Sequence, residues 1–78
     1  MLQDRIIRDP EIMFGKPVIK GTRVPVETIL RKLAAGMSEQ EIVRHHGHLT
    51  SEDIRAAAAF AADYLSSEGV VDAARSSP

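Results

Sequence analysis

The sequence predicts a mainly α domain, three helices in a helix-turn-helix layout behind a small N-terminal β element. Three observations lead there. A ribbon broken by two glycines and two prolines occupies residues 15–26. The apolar period changes from two to 3.6 at Val26. Two helix-start signals then stand twelve residues apart, at Ser38 and Thr50.

The β element is expected over residues 5–24. Arg5-Ile6-Ile7-Arg8 reads as a short strand. Asp9-Pro10 stops it, because the residue before proline is pushed out of the α region. Ile12 and Met13 return toward the core, and Phe14 enters the ribbon. Gly15 and Gly21 are natural turn points, since glycine takes positive φ without steric cost. Val18 and Ile19 between them are β-branched and suit one small strand. The whole is a tight loop-strand-loop of two or three strands that holds Lys16, Lys20 and Arg23 outward.

The helices are expected at about 26–35, 39–46 and 51–65. Val26, Ile29, Leu30 and Leu33 fall at i, i+3, i+4 and i+7, one helical face. Gly36 closes that helix as its C′ residue. Ser38 caps the second helix, with Glu41 completing a capping box and Met37 stapled to Ile42. Thr50, Asp53, Leu49 and Ile54 repeat this grammar for the third. A short second helix and a tight turn at Gly47 and His48 separate a helix-turn-helix from a generic three-helix bundle. Residues 66–78 read as a C-terminal tail after the domain at 1–65.

Composition narrows the function. Seventy-eight residues make one domain whose modest core suits support from a second copy. There is no cysteine, which excludes disulfide and thiolate chemistry. The N-terminus lacks an apolar leader pattern, and no apolar run is long enough for a bilayer, so a cytoplasmic, non-membrane protein is expected. Residues 1–35 carry seven cations and four anions, whereas residues 36–78 carry three cations and seven anions. Such asymmetry suggests two faces with different partners.

The candidate DNA contacts are therefore Lys16, Lys20, Thr22, Arg23 and Arg31, with Lys32 beside them. The third helix suits base reading poorly. Arg55 is its only cation over residues 51–65, and Glu52 and Asp53 would repel phosphates at its N-terminus. Six alanines between residues 56 and 62 suit close packing instead. One face fits against the first helix, and the other needs cover from a second copy or a partner. Ala59, Phe60, Asp63 and Tyr64, followed by Val70 and Val71 in the tail, are the candidate interface. Solvated loop cations and a frayed terminus are the plainer alternatives.

His45, His46 and His48, with Glu41 one turn before, are conceivable metal ligands, but histidines also suit a helix C-terminus. No metal or cofactor is expected. No triad spacing and no P-loop is present, so the chain is not expected to be an enzyme.

Gly-Lys-Pro-Val-Ile-Lys-Gly-Thr-Arg-Val-Pro-Val at 15–26 opens a longer pattern. Ile29-Leu30, Leu33-Ala34-Ala35-Gly36-Met37-Ser38, Glu41-Ile42 and the run from Leu49 to Ala57 complete it. Together these closely resemble the domain-of-unknown-function 433 family, from about Ile6 to Leu65. The resemblance implies a homeodomain-like helix-turn-helix with a small N-terminal β element. It further implies a VapB-type antitoxin, of the kind often encoded beside a PIN-like nuclease. Phe14 stands where the family usually has Gly, and His46-Gly47-His48 replaces an aromatic-proline turn. The third helix is also poorer in large apolar residues. The expected function is the antitoxin of a type II toxin–antitoxin pair, a homodimeric autoregulator that binds operator DNA and a PIN-like toxin. The alternative is a protein-interaction module with no DNA role.

Overall fold

A computed structural model of the chain describes residues 2–67. A 3-10 turn at Leu2–Arg5 leads into β1 (Ile6–Asp9), which pairs antiparallel with β2 (Ile12–Ile19). Three helices follow, α1 (Val26–Ala34), α2 (Glu39–His45) and α3 (Ser51–Ser67). The mainly α expectation is corrected to a small α+β fold. The β hairpin is an integral layer of the fold, because β2 is eight residues long and delivers Val18 and Ile19 fully into the core.

The expectation fell short because β2 does not stop at its glycine. The Glu11 amide donates to the Asp9 carboxylate at 2.9 Å and fixes the reversal. Ile12 then faces Asp9, but the next paired residue, Pro17, faces Arg8. Met13 to Lys16 therefore bulge out of the ladder. Met13, Phe14 and Gly15 carry φ of 51°, 59° and 82°. Two non-glycine residues in the left-handed region are a local strain that no periodicity reveals. Pro17 is tolerated in a strand because a two-stranded sheet is all edge.

The core gathers Ile19, Val26, Ile29, Ile42, Leu49, Ile54 and Ala57. Ile6, Leu30, Leu33 and Met37 pack against it from its margins. Ala56 and Ala57 are fully buried, so α3 approaches closely along one alanine face. Ala58 and Ala62 on that helix are exposed.

Local sequence accounts for the end of α1 and the starts of α2 and α3. The Gly36 amide donates to the Leu33 carbonyl and the Met37 amide to the Lys32 carbonyl, both at 3.0 Å, a Schellman stop for α1 with Gly36 at φ 98°. The Ser38–Glu41 capping box is complete in both directions. At α3 the Asp53 amide donates to Thr50 Oγ1 and the Thr50 amide to the Asp53 carboxylate, the same reciprocal pair. Helix α3 continues through Ser66 and Ser67, two residues that the sequence reading assigned to the tail.

Candidate nucleic-acid and partner interfaces

The turn after β2 is built by Thr22. Its hydroxyl donates to the Ile19 carbonyl at 2.8 Å and accepts from the Val24 amide at 3.0 Å. The Thr22 amide also donates to the Ile19 carbonyl. Gly21, at φ 82°, supplies the left-handed step that the turn requires. Thr22 thus works within the turn. Lys20 and Arg23 project from it, exposed and without an ion pair among the described residues. The Lys20 amide donates to the Arg5 carbonyl at 2.7 Å, which ties the turn to the start of the hairpin.

The other two candidate cations behave differently. Lys16 Nζ lies 3.1 Å from one oxygen of Glu27, and Arg31 Nε lies 3.6 Å from the other. These partners hold the Glu27 carboxyl below its ordinary range, the Lys16 hydrogen bond and charge contributing most. Glu27 thus offsets one of the two positive charges and would oppose a phosphate there. The Glu27–Arg31 spacing of i,i+4 is visible in the sequence. The approach of Lys16 depends on the bulge and is not.

Of the candidate interface residues, Phe60 and Tyr64 stack with ring centroids 6.5 Å apart. The Arg8 guanidinium carbon lies 5.6 Å from the Phe60 centroid, a cation–π contact. Ala59 is half-buried and Asp63 exposed. Val70 and Val71 lie outside the described residues. Phe60 and Tyr64 line an open groove of about 440 Å³ with Arg8, Pro17, Val26, Glu27, Leu30, Ala61 and Leu65. The sequence reading found the two rings but not the groove, whose other walls come from β1, β2 and α1. Phe14, which the sequence marks only as the entry to the ribbon and a departure from glycine, is 94 % exposed at the bulge.

At the other end, Arg5 pairs with the buried Asp53 at 3.0 Å and with Glu52 at 3.4 Å. The acidic start of α3 is thereby a clamp for the N-terminal turn. Around the end of α2, His45 and His48 are exposed and His46 is half-buried. Burial, then the charges of Lys32, His45 and His48, push the His46 pKa down, and its Nε2 has no hydrogen-bond partner. Among the described residues, no three His, Cys, Asp or Glu side chains gather as a metal site, and no helix is long and apolar enough to cross a membrane.

Comparisons place this arrangement. The chain is similar to a crystal structure of a DUF433 member protein from Anabaena variabilis, with a TM-score of 0.70 and 33 % identity. That match covers 77 % of this chain and 59 % of the other. An uncharacterized protein of Sinorhizobium fredii, y4eO, is 38 % identical over 56 residues, 72 % of this chain but 25 % of that protein. An uncharacterized protein of Archaeoglobus fulgidus is 54 % identical over 28 residues, 36 % of this chain and 78 % of that one. This chain therefore spans a quarter of y4eO and just over half of the Anabaena chain. The model of the family described as "Protein of unknown function (DUF433)" matches residues 6–61, and the chain belongs to that family.

Proposed function

We propose that the chain is the antitoxin of a type II toxin–antitoxin pair, a homodimeric autoregulator that binds its own operator and a PIN-like nuclease toxin in the cytoplasm. The observation that carries the DNA half is the Lys20–Arg23 turn. Two exposed cations stand on a backbone fixed by Thr22, with no ion pair among the described residues. Preorganised cations can bind phosphates without losing much loop freedom. A dimer presents two such turns to a two-fold operator. The acidic start of α3, engaged with Arg5, leaves base reading to the turns and to the exposed face of α1.

The toxin half rests on the family resemblance and on the charge pattern. The Asp63 face of α3, away from the Phe60–Leu65 groove, and the segment bearing Val70 and Val71 are assigned to the nuclease. On this reading the chain binds and does not catalyse, and it needs no metal of its own.

A reporter gene behind the chain's own upstream DNA tests the reading. The native protein is expected to repress it, and Lys20→Ala with Arg23→Ala to relieve repression at unchanged protein level. Full repression by the double variant would remove the turn from the operator complex. The interaction-module alternative is favoured by one observation: Glu27 engages Lys16 and Arg31, two of the five expected DNA contacts. It predicts no repression at all, with tight binding of the neighbouring gene product.

A further inference from the structure

Phe14 is the least expected side chain in the molecule. An aromatic residue sits at φ 59°, where the backbone suits glycine, and is 94 % exposed. Among the described residues nothing covers the ring. Strain held at an exposed position is a reason to look for a function.

The same chain carries a complementary feature. The groove walls are Pro17, Val26 and Leu30 on one side and Phe60, Ala61, Tyr64 and Leu65 on the other. Tyr64 and Leu65 remain 53 % and 48 % exposed, large apolar surface at the groove mouth. A cation already lies against the Phe60 ring, so a second ring enters an environment of edges, faces and one guanidinium, which aromatic side chains favour. Pro17 ends the bulge and also walls the groove, so knob and socket adjoin on one surface.

We propose that Phe14 of one protomer inserts into the Val26–Leu30–Phe60–Leu65 groove of a second copy, and that the second copy returns the contact. A patch that carries both halves of a contact side by side is self-complementary and closes as a two-fold dimer. Charge does not oppose the pairing. Lys16 stands two residues from the knob and Glu27 lines the socket, and the two already pair within the chain at 3.1 Å, so the rim of the groove carries no uncompensated charge from them. A buried aromatic ring removes about 150–250 Å² from solvent. Two rings and the walls they cover then bury on the order of 800 Å², below the size of stable interfaces and in the range of weak, transient ones. The dimer is accordingly reversible, and DNA or a partner that binds both copies strengthens it. This deepens the dimer of the proposed function without depending on DNA or toxin.

Sedimentation equilibrium of the full chain without DNA tests it. The native protein is expected to associate reversibly to a dimer across the micromolar range. Phe14→Gly removes the knob and relieves the left-handed strain, so it folds, and it is expected to stay monomeric with an unchanged circular dichroism spectrum. Leu65→Lys blocks the socket at a half-exposed position near a helix end, where a cation suits the helix dipole, and is expected to do the same. An equimolar mixture of the two variants keeps one knob and one open socket and is expected to regain weaker association. A native protein that stays monomeric, or a Phe14→Gly variant that dimerises as well as the native one, overturns the proposal. Either result leaves the Lys20–Arg23 turn to be judged by its own assay.

Discussion

Replacing Glu27 with Gln should make this protein bind DNA more tightly, a direction that loss of fold cannot imitate. Glu27 holds Lys16 at 3.1 Å and Arg31 at 3.6 Å, and it is half exposed, so Gln removes one negative charge from the basic surface without opening the core. One net cation is released per protomer, two per dimer. Each added phosphate contact steepens the dependence of log affinity on log salt by about 0.9, so the dimer's slope should steepen by about 1.8. Between 50 and 200 mM salt that is about a further tenfold weakening. The same arithmetic gives the variant its largest gain at the lowest salt. Because Lys16 holds the Glu27 carboxyl below its ordinary range, the native protein carries the full opposing charge at neutral pH. The assay is fluorescence anisotropy of labelled upstream DNA at several salt concentrations. An unchanged slope and affinity would refute the claim that Lys16 and Arg31 lie in the DNA interface, and would leave Lys20 and Arg23 alone there.

Two further outcomes concern the frame. Asp53→Ala removes the acceptor of the Thr50 amide and the buried partner of Arg5. A lost cap costs about 1 kcal/mol and the half-exposed ion pair about as much again, so urea unfolding should show a loss of about 2 kcal/mol. Glu52→Ala, at an exposed 3.4 Å pair, should cost less than about 0.5 kcal/mol, and equal losses would contradict the clamp. His46 is the pH-sensitive position. Its folded pKa is depressed, first by burial and then by Lys32, His45 and His48, so the unfolded chain binds the extra proton more readily. Stability is full above the unfolded value of about 6.5 and declines as pH falls below it, until the lower folded pKa is reached. His46→Leu should flatten that decline in thermal melts between neutral and mildly acidic pH, and an identical decline in both proteins would exonerate His46.

The helical part of the fold was legible in the sequence because its signals are local. Ser38 with Glu41, Thr50 with Asp53 and Gly36 after Ala35 each act within a few residues, and each hydrogen bond they imply is present. The β hairpin was underestimated for a nonlocal reason. The four-residue bulge depends on Met13 and Phe14 adopting φ values that side chains normally avoid, and strand pairing resumes at Pro17, a residue that reads as a breaker. Residue types alone singled out the candidate cations, and the i,i+4 spacing already pairs Arg31 with Glu27, but only the fold separates Lys20 and Arg23 from Lys16, which the bulge brings to Glu27 on the first turn of α1. The groove was hidden for the same reason, since its walls come from four separate elements. Thr22 shows the converse. Its place in a basic ribbon suggested DNA, whereas both of its hydroxyl bonds hold the turn.

The most direct measurement of the central claim is a paired titration of the native protein and the Lys20→Ala, Arg23→Ala variant. Both would be titrated against the chain's own upstream DNA and a shuffled control, at two salt concentrations. The account predicts that the native protein prefers the upstream DNA and weakens steeply with salt. The double variant should lose affinity for both DNAs and show a shallower salt slope, by up to about 3.6 for a dimer that gives up four phosphate contacts. Native binding with no preference and no salt dependence, or a double variant indistinguishable from the native protein, would contradict it.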